Sequence, residues 1–381
     1  MLRADLVSEP FQHSAGPHDA KTVFVGEAWG AEEEELGGQP FVGQAGRELA
    51  RMLGEAWNAP TLRAAAHHVE RDRWLAERDD WLTSASVLLT NVFALRPQNN
   101  NLAHLCCSKE ELPNDYDLSP VRTQSPRYVR AEFLPELARL REELATARPN
   151  LVVALGGTAA WALLGRAGIG SIRGAIAEST LVPGTKCLPS YHPAGVIYQW
   201  SLRSTVIADL VKADNERRHA EIVRPERRVQ TSPSIEDLEE TTQMLLSNAR
   251  LLAPDIETLN GQIRCIGFAW TRQDAIVVPF IRDLTGASYW FNLETELRAW
   301  ECVRALLESD IPKVGQNFLF DLQYLERAGI RTRNVAHDTM LLHHVMYPEL
   351  PKGLGFLGSV YTNESAWKLL RKHGEELKRD E

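Results

Sequence analysis

The sequence is short of cysteine and has no long apolar run, and these shortages exclude several classes of protein. Its five cysteines form no Cys-x-x-Cys pair, and only Cys106 and Cys107 are neighbours. Neighbouring cysteines rarely pair with each other or share a zinc ion, so we expect reduced thiols in a cytoplasmic compartment. No apolar run approaches the ~20 residues of a membrane span, and the N-terminus does not resemble a signal peptide. We therefore expect no membrane partner.

An excess of basic residues is also missing. The net charge of −9 argues against a protein coated with nucleic acid, although it leaves a local basic groove open. Hydrophobic residues make up 44% and charged residues 24% of the chain, which describes a globular protein with ample core material. The 381 residues suit two domains of average size.

Short apolar segments alternate with amphipathic ones over the first part of the chain. We predict strands at residues 22–25, 87–91, 151–155 and 185–189, separated by helices. This alternation predicts an α/β domain whose parallel sheet carries helices on both faces. Residues 216–233 have almost nothing to bury, which indicates a linker. We therefore place a first domain at residues 1–215 and a second α/β domain at 234–381.

The loop after the first predicted strand is the most informative segment. It holds several glycines, the glutamates 32–35 and the pair Pro40-Phe41, and helical periodicity begins only after Gly46. Ligands bind at the carboxyl ends of strands in open α/β sheets, and a purely structural loop would need no cluster of carboxylates. We therefore interpret this loop as part of a ligand site. A charged, solvated turn is the alternative.

Loop segments at the predicted strand ends carry residue types that suit cleavage of a pyrimidine from its sugar. That reaction needs donors for the base oxygens, a carboxylate or water for the sugar, and a surface on which the base stacks. Asn91 offers a donor and an acceptor, and Phe41 offers a flat ring. Glu27 supplies a carboxylate, and His192 lies at a helix N-terminus that favours its neutral form. Taken alone, His192 could be a helix cap and Asn91 a turn residue.

The order of these motifs resembles that of the family 4 uracil-DNA glycosylase group. The matching segments are Gly26-Glu-Ala with Gly30, Gln39-Pro-Phe-Val-Gly, Thr90-Asn-Val with Arg96-Pro97, Val153-Ala-Leu-Gly with Thr158-Ala159, and Tyr191-His-Pro-Ala. The resemblance implies a three-layer α/β/α fold with a parallel sheet, and hydrolytic removal of uracil from DNA. It assigns uracil binding to Gly26, Phe41, Asn91 and His192, and catalysis to Glu27, Glu33, Glu34 and His192.

The sequence also departs from that family. Trp29 stands where family members usually have proline, and an indole there would narrow the pocket or alter its base specificity. The family's iron–sulfur cluster is ligated by four cysteines, one pair upstream of the first motif. Here no cysteine precedes Cys106, so we predict that the cluster is absent. One extra residue in the acidic run leaves open whether Glu33 or Glu34 matches the family acid. His104, near the place of a nucleophile in a covalently acting relative, is predicted to be a surface histidine.

A second group of acidic residues follows the linker. Asp255 and Glu257 lie two apart in a predicted strand, so both side chains project to one face. Two carboxylates on one face repel each other unless cations join them, which favours a two-Mg²⁺ site that cleaves phosphodiesters. Asn317 and Asp321 lie one helical turn apart. The predicted metal ligands are Asp255, Glu257 and Asp321.

This pattern resembles the proofreading 3'-5' exonuclease domain of family A DNA polymerases, and it continues through His337-Asp-Thr, Pro351-Lys-Gly, Tyr361 and Trp367-Lys. The resemblance implies a ribonuclease H-like fold with a mixed sheet, Mg²⁺ as cofactor and a single-stranded DNA 3' end as substrate. It also implies that Asp338 packs rather than binds metal. The chain reaches Glu381 before the family's last acidic motif, so we expect a C-terminally incomplete exonuclease domain.

Together these patterns predict a DNA repair or replication protein that excises uracil by hydrolysing the N-glycosidic bond of a flipped nucleotide. Its expected partners are uracil-containing DNA and a phage-type DNA polymerase module or replisome, in a bacterial or phage-infected cell. Two alternatives stay open. The first domain could bind uracil or a modified base without cutting it, and Trp29 favours that interpretation. The exonuclease could also be the only active half.

Overall fold

The structure is a computed structural model that describes residues 8–59, 71–111, 121–122, 126–166, 168–224 and 226–364. The described residues form two compact units. The first unit lies within Met1–Val223 and includes the described residues from Gly355 onward, whereas the second is Arg224–Leu354. The motif Trp367-Lys, which contributed to the exonuclease resemblance, lies outside the described residues.

The strands and helices alternate along most of the chain. The strands are β1 (Thr22–Ala28), β2 (Val87–Phe93), β3 (Cys106–Cys107), β4 (Val121–Arg122), β5 (Pro126–Val129), β6 (Leu151–Leu155), β7 (Ala177–Glu178), β8 (Lys186–Ser190), β9 (Arg228–Gln230), β10 (Ala253–Leu259), β11 (Gln262–Ala269), β12 (Asp274–Pro279), β13 (Lys313–Gly315) and β14 (Val335–Asp338). The helices are α1 (Ala31–Glu35), α2 (Gln44–Ala56), α3 (Arg71–Ala85), α4 (Leu134–Ala147), α5 (Gly157–Leu164), α6 (Ile169–Ile172), α7 (Pro193–Tyr198), α8 (Arg203–Glu216), α9 (Ile235–Asn248), α10 (Leu293–Glu308), α11 (Leu319–Arg327), α12 (Thr339–Met346) and α13 (Leu354–Tyr361).

The first unit is built on a mostly parallel sheet with the strand order β2-β1-β6-β8-β7. Strand β1 pairs in parallel with β2 and β6, and β6 pairs in parallel with β8. The short strand β7 pairs antiparallel with β8 at one edge. The strands β2, β6 and β8 are buried along their whole length, as expected for a sheet covered on both faces. The predicted parallel sheet is confirmed.

Helices cover both faces of this sheet. Val23 and Val25 belong to a core that includes α4 and α5, whereas Phe24 belongs to a second core that includes α2 and α8. Successive side chains of a strand point to opposite faces, so a continuous apolar run supplies both cores at once. The predicted three-layer α/β/α arrangement is therefore confirmed.

The parallel order brings the carboxyl ends of β1, β2, β6 and β8 to one edge of the sheet. Glu27 lies near the end of β1, and Asn91 lies near the end of β2, where it pairs with Gly26. His192 follows β8 and caps the N-terminus of α7. Residues that are distant in the sequence thus converge because their strands share a direction.

The loop after β1 differs from the expectation in two details. The glutamates 32–35 belong to the short helix α1 rather than to an extended loop, and α2 begins at Gln44 rather than after Gly46. The Glu33 carboxylate accepts a hydrogen bond from the backbone N–H of Gly30, which closes the first turn of α1. Acidic residues in a first helical turn are also favoured by the helix dipole. Hydrophobic periodicity cannot reveal a helix this short.

The second unit contains a mixed sheet. Strands β10, β11 and β12 form an antiparallel meander, and β9 pairs in parallel with β12. On the other side of β10, Leu252 pairs in parallel with Lys313 of β13, which pairs in parallel with β14. The order β12-β11-β10-β13-β14, with α10 connecting β12 to β13, is the ribonuclease H-like arrangement, and this prediction is confirmed.

The sheet of the second unit buries one face. Ile256 and Ile266 pack with helices α9 and α10, whereas Asp255 and Glu257 lie on the exposed side of β10. This alternation is typical of antiparallel strands with one solvated face. The predicted common face for the two acids is therefore observed.

The segment predicted as a linker contains β9. All three of its residues are exposed, so the strand forms through backbone pairing with β12 and through an ion pair between Arg228 and Asp274 (2.6 Å). Helix α13 packs with the first unit, where Arg173 donates to the Ser359 hydroxyl (2.9 Å). The domain boundaries at 215 and 234 stay a prediction. Among the described helices, none has the length and apolar character needed to cross a membrane.

Candidate active site

Gly26, Asn91 and Phe41 lie close together at the carboxyl ends of β1 and β2. A Cβ atom at Gly26 would overlap the Asn91 Oδ1 atom and lie 2.7 Å from Phe41 Cζ, so only glycine permits this approach. Asn91 is 3% exposed, and its Nδ2 atom has no hydrogen-bond partner among the described residues. A buried donor without an acceptor costs about 1–3 kcal/mol, so this amide is suited to a ligand oxygen.

The ring of His192 faces that of Phe41. The two rings are nearly parallel at 24°, with centroids 6.1 Å apart. The His192 Nδ1 atom accepts a hydrogen bond from the backbone N–H of Ala194 (3.1 Å), so the neutral ring carries its proton on Nε2. Burial lowers the pKa of His192 to about 4. At neutral pH this side chain is therefore an uncharged hydrogen-bond donor.

Glu27 is held by the helix that follows β6. The Thr158 hydroxyl, in the first turn of α5, donates a hydrogen bond to Glu27 Oε2. Gly156, the residue before α5, has φ +93°, and a Cβ atom there would lie 3.1 Å from His192 Cβ. The start of α5 therefore contacts His192 through Gly156 and Glu27 through Thr158.

The predicted catalytic residue Glu33 contacts the backbone instead of an open pocket. Its two carboxylate oxygens accept the N–H groups of Gly30 and Phe41, each at 2.5 Å. Burial raises the pKa of Glu33. Phe41 has φ +56°, a strained value for a non-glycine residue, and its carbonyl oxygen occupies the space that a Cβ at Gly46 would need. Glu33 thus holds the backbone of Phe41 in place.

Three further residues from the sequence analysis, Glu34, Trp29 and His104, have other surroundings. Glu34 forms an ion pair with Arg96 (2.9 Å). The Trp29 indole packs edge-on against His13, with ring centroids 4.7 Å apart, and beside Gly38. Trp29 therefore fixes the chain around Gly38, and its Nε1 atom has no partner among the described residues. His104 is exposed, as predicted.

Sequence reasoning missed Arg78, which supports the loop from the other side. This residue of α3 is 2% exposed and donates to the Pro40 carbonyl (2.8 Å) and to Gln39 Oε1 (3.2 Å). Its helix is rich in charged residues, which are usually solvated. The sequence therefore contained no signal that this arginine is buried.

The acids of the second unit converge from two elements. Asp321 of α11 accepts the backbone N–H of Ile256 (2.9 Å), which places it beside the strand that carries Asp255 and Glu257. Partial desolvation, together with the charges of Asp321 and Glu257, raises the pKa of Asp255 to about 6. Hard oxygen donors that repel one another fit a divalent cation chemically. Among the described residues, however, no group of three His, Cys, Asp or Glu side chains is arranged to hold a metal ion, and this includes Asp255, Glu257 and Asp321.

Asp338 has a different task from these acids. Its carboxylate caps α12 through the N–H of Met340 (2.8 Å) and accepts the N–H of Phe318 (2.8 Å) at the start of α11. It therefore joins two helices, in agreement with the packing role implied by the resemblance.

The cysteines do not fit a four-cysteine iron–sulfur cluster. Cys106 and Cys107 are neighbours in β3, Cys187 is buried within β8, and Cys265 and Cys302 belong to the second unit. Cluster ligation requires thiolates that converge on one centre, whereas these lie on separate elements.

Comparison with known families agrees with this geometry. A family model described as the Uracil DNA glycosylase superfamily matches residues 13–213, more than half of the chain, and a model described as 3'-5' exonuclease matches residues 230–371. The fold and these matches define a fusion of a glycosylase-type domain with a 3'-5' exonuclease domain. The chain belongs to the uracil DNA glycosylase superfamily. Both resemblances inferred from the motifs are confirmed.

Individual relatives cover the first unit. The chain is 29% identical over 203 residues to a Type-4 uracil-DNA glycosylase of Archaeoglobus fulgidus, a match of 52% of this chain and 77% of the relative. It is 28% identical over 204 residues to a Type-4 uracil-DNA glycosylase of Thermotoga maritima, which covers 52% and 78%.

Solved structures with some likeness to the chain are exonucleases. Escherichia coli RNase D, an exoribonuclease, has a TM-score of 0.26 at 14% identity, with 37% of this chain and 34% of that chain covered. The EXD2 exonuclease domain has a TM-score of 0.24 at 18% identity, with 35% and 68% covered. At TM-scores this low, neither likeness contributes to the assignment.

We predict that His192 stays neutral down to about pH 4, because burial disfavours its charged form. The unfolded chain, with an ordinary histidine pKa, binds this proton at higher pH, so His192 destabilises the fold as pH falls from about 6.5 towards 4. An NMR titration of labelled histidine rings measures this, and His192→Gln identifies the resonance. A midpoint near 6.5 would contradict the placement of the ring.

We also predict that Glu33→Gln loosens the loop around Phe41. The amide retains one acceptor oxygen, so one of the two N–H groups loses its partner, at about 1–3 kcal/mol. Hydrogen exchange at the Gly30 and Phe41 amides should become about 5- to 150-fold faster. Glu34→Gln, which removes the same charge one residue away, should leave both amides protected. Equal effects of the two variants would show that Glu33 does not grip this loop.

Proposed function

We propose that the first unit removes uracil from DNA by hydrolysing the N-glycosidic bond of a flipped nucleotide. The observation that carries this proposal is the buried, unpartnered Asn91 Nδ2 atom beside Gly26 and Phe41. Uracil presents a carbonyl acceptor next to an N–H donor, which an asparagine amide can match with its own donor and acceptor. The named activity of the Type-4 relatives agrees with this chemistry.

In this mechanism the bond between uracil N1 and the deoxyribose C1′ breaks, and both of its electrons go to the base. Phe41 stacks on the uracil ring, while Asn91 holds its edge. The Nε2–H of neutral His192 donates to the oxygen on which negative charge develops. A neutral imidazole can stabilise the uracil anion through a hydrogen bond and still keep its proton.

Glu27 places the water that replaces the base. Thr158 fixes the Oε2 atom of Glu27, and the Oε1 atom would hold the water. The water oxygen bonds to C1′, its proton passes to Glu27, and the uracil anion departs. The contacts of Glu33 and Glu34 support a structural role for both, and their part in activating water stays a prediction.

The wider setting is also a proposal. The substrate would be uracil-containing DNA, with a polymerase module or replisome as partner in the cytoplasm of a bacterial or phage-infected cell. The fused 3'-5' exonuclease domain supports a link with DNA synthesis, and no disulfide joins the cysteines of the described chain. An absent iron–sulfur cluster is part of the same proposal, supported by the scattered cysteines.

A gel assay for abasic sites tests this function on uracil-containing DNA. Asn91→Ala and Glu27→Gln should each lower the single-turnover rate of excision by about 10²- to 10³-fold. Asn99→Ala, which alters an exposed asparagine, should retain the rate of the unaltered chain. If the unaltered chain forms no abasic sites while Asn91→Ala still weakens binding, the first unit binds uracil without cutting it. Excision at the full rate by Asn91→Ala would refute the proposed role of Asn91 in binding uracil.

The second unit supports a second activity, removal of nucleotides from a single-stranded 3' end with Mg²⁺. The supporting observation is the group of Asp255, Glu257 and Asp321, whose mutual repulsion a cation would relieve. These three side chains do not form a metal site as they stand, and they would have to close around the ion, which would supply a Lewis acid for phosphodiester cleavage. Asp321 stays anchored to the Ile256 N–H and so orients the group.

Degradation of a labelled single strand, with Mg²⁺ or with EDTA, tests the second activity. Asp255→Asn should abolish the Mg²⁺-dependent cleavage because it removes one ligand charge, whereas Asp283→Asn, on an exposed loop of the same unit, should not change it. Cleavage with no excision of uracil would make the exonuclease the only active half. Cleavage that survives both EDTA and Asp255→Asn would refute the proposed metal site.

A further inference from the structure

Strand β2, which carries Asn91, lies at the edge of its sheet. It is first in the order β2-β1-β6-β8-β7, yet all seven of its residues are buried. A buried edge strand must find partners for its outer N–H and C=O groups without a neighbouring strand. The backbone groups of Leu89 find their partners in Ala15, with which Leu89 forms an isolated β-bridge. From Asn91 onward, side chains of α4 supply partners for the carbonyl groups of Asn91 and Val92 and for the N–H of Ala94.

These side chains form a buried charged triad, Glu136, Arg139 and Glu143. Their spacing of three and four residues puts them on one face of α4, and they are 2%, 3% and 0% exposed. Arg139 Nε donates to Glu136 Oε2 (3.0 Å), and Arg139 Nη1 donates to Glu143 Oε1 (2.7 Å). The guanidinium is thus oriented by a carboxylate on each side.

The third nitrogen of the guanidinium holds the main chain at the pocket. Arg139 Nη2 donates to the carbonyl oxygen of Asn91 (2.6 Å) and to that of Val92 (3.1 Å). The two glutamates extend the grip, because Glu143 accepts the Thr90 hydroxyl (2.8 Å) and Glu136 accepts the Ala94 N–H (2.8 Å). Three consecutive residues centred on Asn91 therefore receive contacts from the triad.

Backbone N–H groups of the N-terminal segment donate hydrogen bonds to the two glutamates of the triad. Glu136 Oε1 accepts the N–H of Ser8 (3.0 Å), and Glu143 Oε1 accepts the N–H of Phe11 (3.0 Å). These amides give the carboxylates hydrogen bonds in addition to their ion pairs with Arg139. The triad is therefore well supplied with partners, as a buried charged group requires.

Stability alone does not account for this arrangement. Well-packed apolar side chains are often as stabilising as a buried ion pair, but they could not donate to the Asn91 carbonyl. The Asn91 Nδ2 atom has no partner in the described residues, so its position depends on the main chain that bears it. We propose that Arg139 is a positioning residue for uracil excision, acting through Asn91. This inference rests on the function proposed above.

A double-mutant cycle on the full chain tests the proposal. Arg139→Lys keeps the positive charge, but one ammonium group cannot reproduce the planar fork that reaches two glutamates and two carbonyls. It should lower the single-turnover excision rate about tenfold in the unaltered chain and less than about twofold in Asn91→Ala. Lys186→Arg changes another buried ion pair, with Glu216 (2.9 Å), and should combine additively with Asn91→Ala.

A structural measurement accompanies the rates. The side-chain amide NMR signal of Asn91, identified by its loss in Asn91→Ala, should shift in Arg139→Lys and stay in place in Lys186→Arg. If Arg139→Lys does not fold, Glu143→Gln takes its place, because it weakens the grip on Arg139 and keeps the shape of the side chain. An equal loss from Arg139→Lys in both backgrounds, with the Asn91 signal unmoved, would overturn the positioning role.

The same proteins separate this inference from the proposed function. If the unaltered chain forms no abasic sites, uracil excision is refuted, and the cycle is repeated with the affinity for a uracil-containing oligonucleotide, measured by fluorescence anisotropy. A non-additive loss of affinity then supports positioning of Asn91 for base binding, whereas an additive one overturns it. A chain that neither cuts uracil-containing DNA nor prefers it to thymine-containing DNA overturns both proposals.

Discussion

The parallel pairing of β1 with both β2 and β6 determines where chemistry can take place in the first unit. Because the strands run in one direction, Glu27, Asn91 and the start of α5 all lie at the carboxyl ends of the strands. Gly26 then lets Asn91 and Phe41 approach each other, since a larger residue would push them apart. An antiparallel neighbour would have carried Asn91 to the far end of the sheet. The direction of one strand therefore decides whether Asn91 lies beside Gly26 and Phe41.

The two units treat negative charge in opposite ways. In the first, burial keeps His192 neutral, so a hydrogen-bond donor is ready before an anion forms. In the second, burial and mutual repulsion raise the pKa of Asp255, so the acids themselves need compensation. Under the proposed functions, the first site meets a charge that appears during the reaction, whereas the second meets the charge of its own carboxylates. The fusion thus combines two electrostatic designs in a single chain.

The strands and the residues next to them were predictable because each motif adjoins an apolar run. Asn91 and His192 belong to this class, and so does the shared face of Asp255 and Glu257. The supporting contacts were not predictable, because they join residues such as Arg139 and Asn91 that are 48 apart in the sequence. A charged residue in a helix is usually solvated, so pattern alone hides one that is buried. Hydrogen bonds between a side chain and the backbone also produce no periodic pattern in the sequence.

Strand β9 gives the segment between the two domains a definite place in the second unit. Its backbone lies along the edge of β12, and Arg228 is paired with Asp274. Shortening this segment would therefore withdraw a strand and leave the β12 edge open to another chain, a known route to domain swapping. The second domain effectively begins before its first helix. A recombination event that divided the chain at α9 would give a second domain without β9. The edge of β12 would then be unpaired and able to bind another chain.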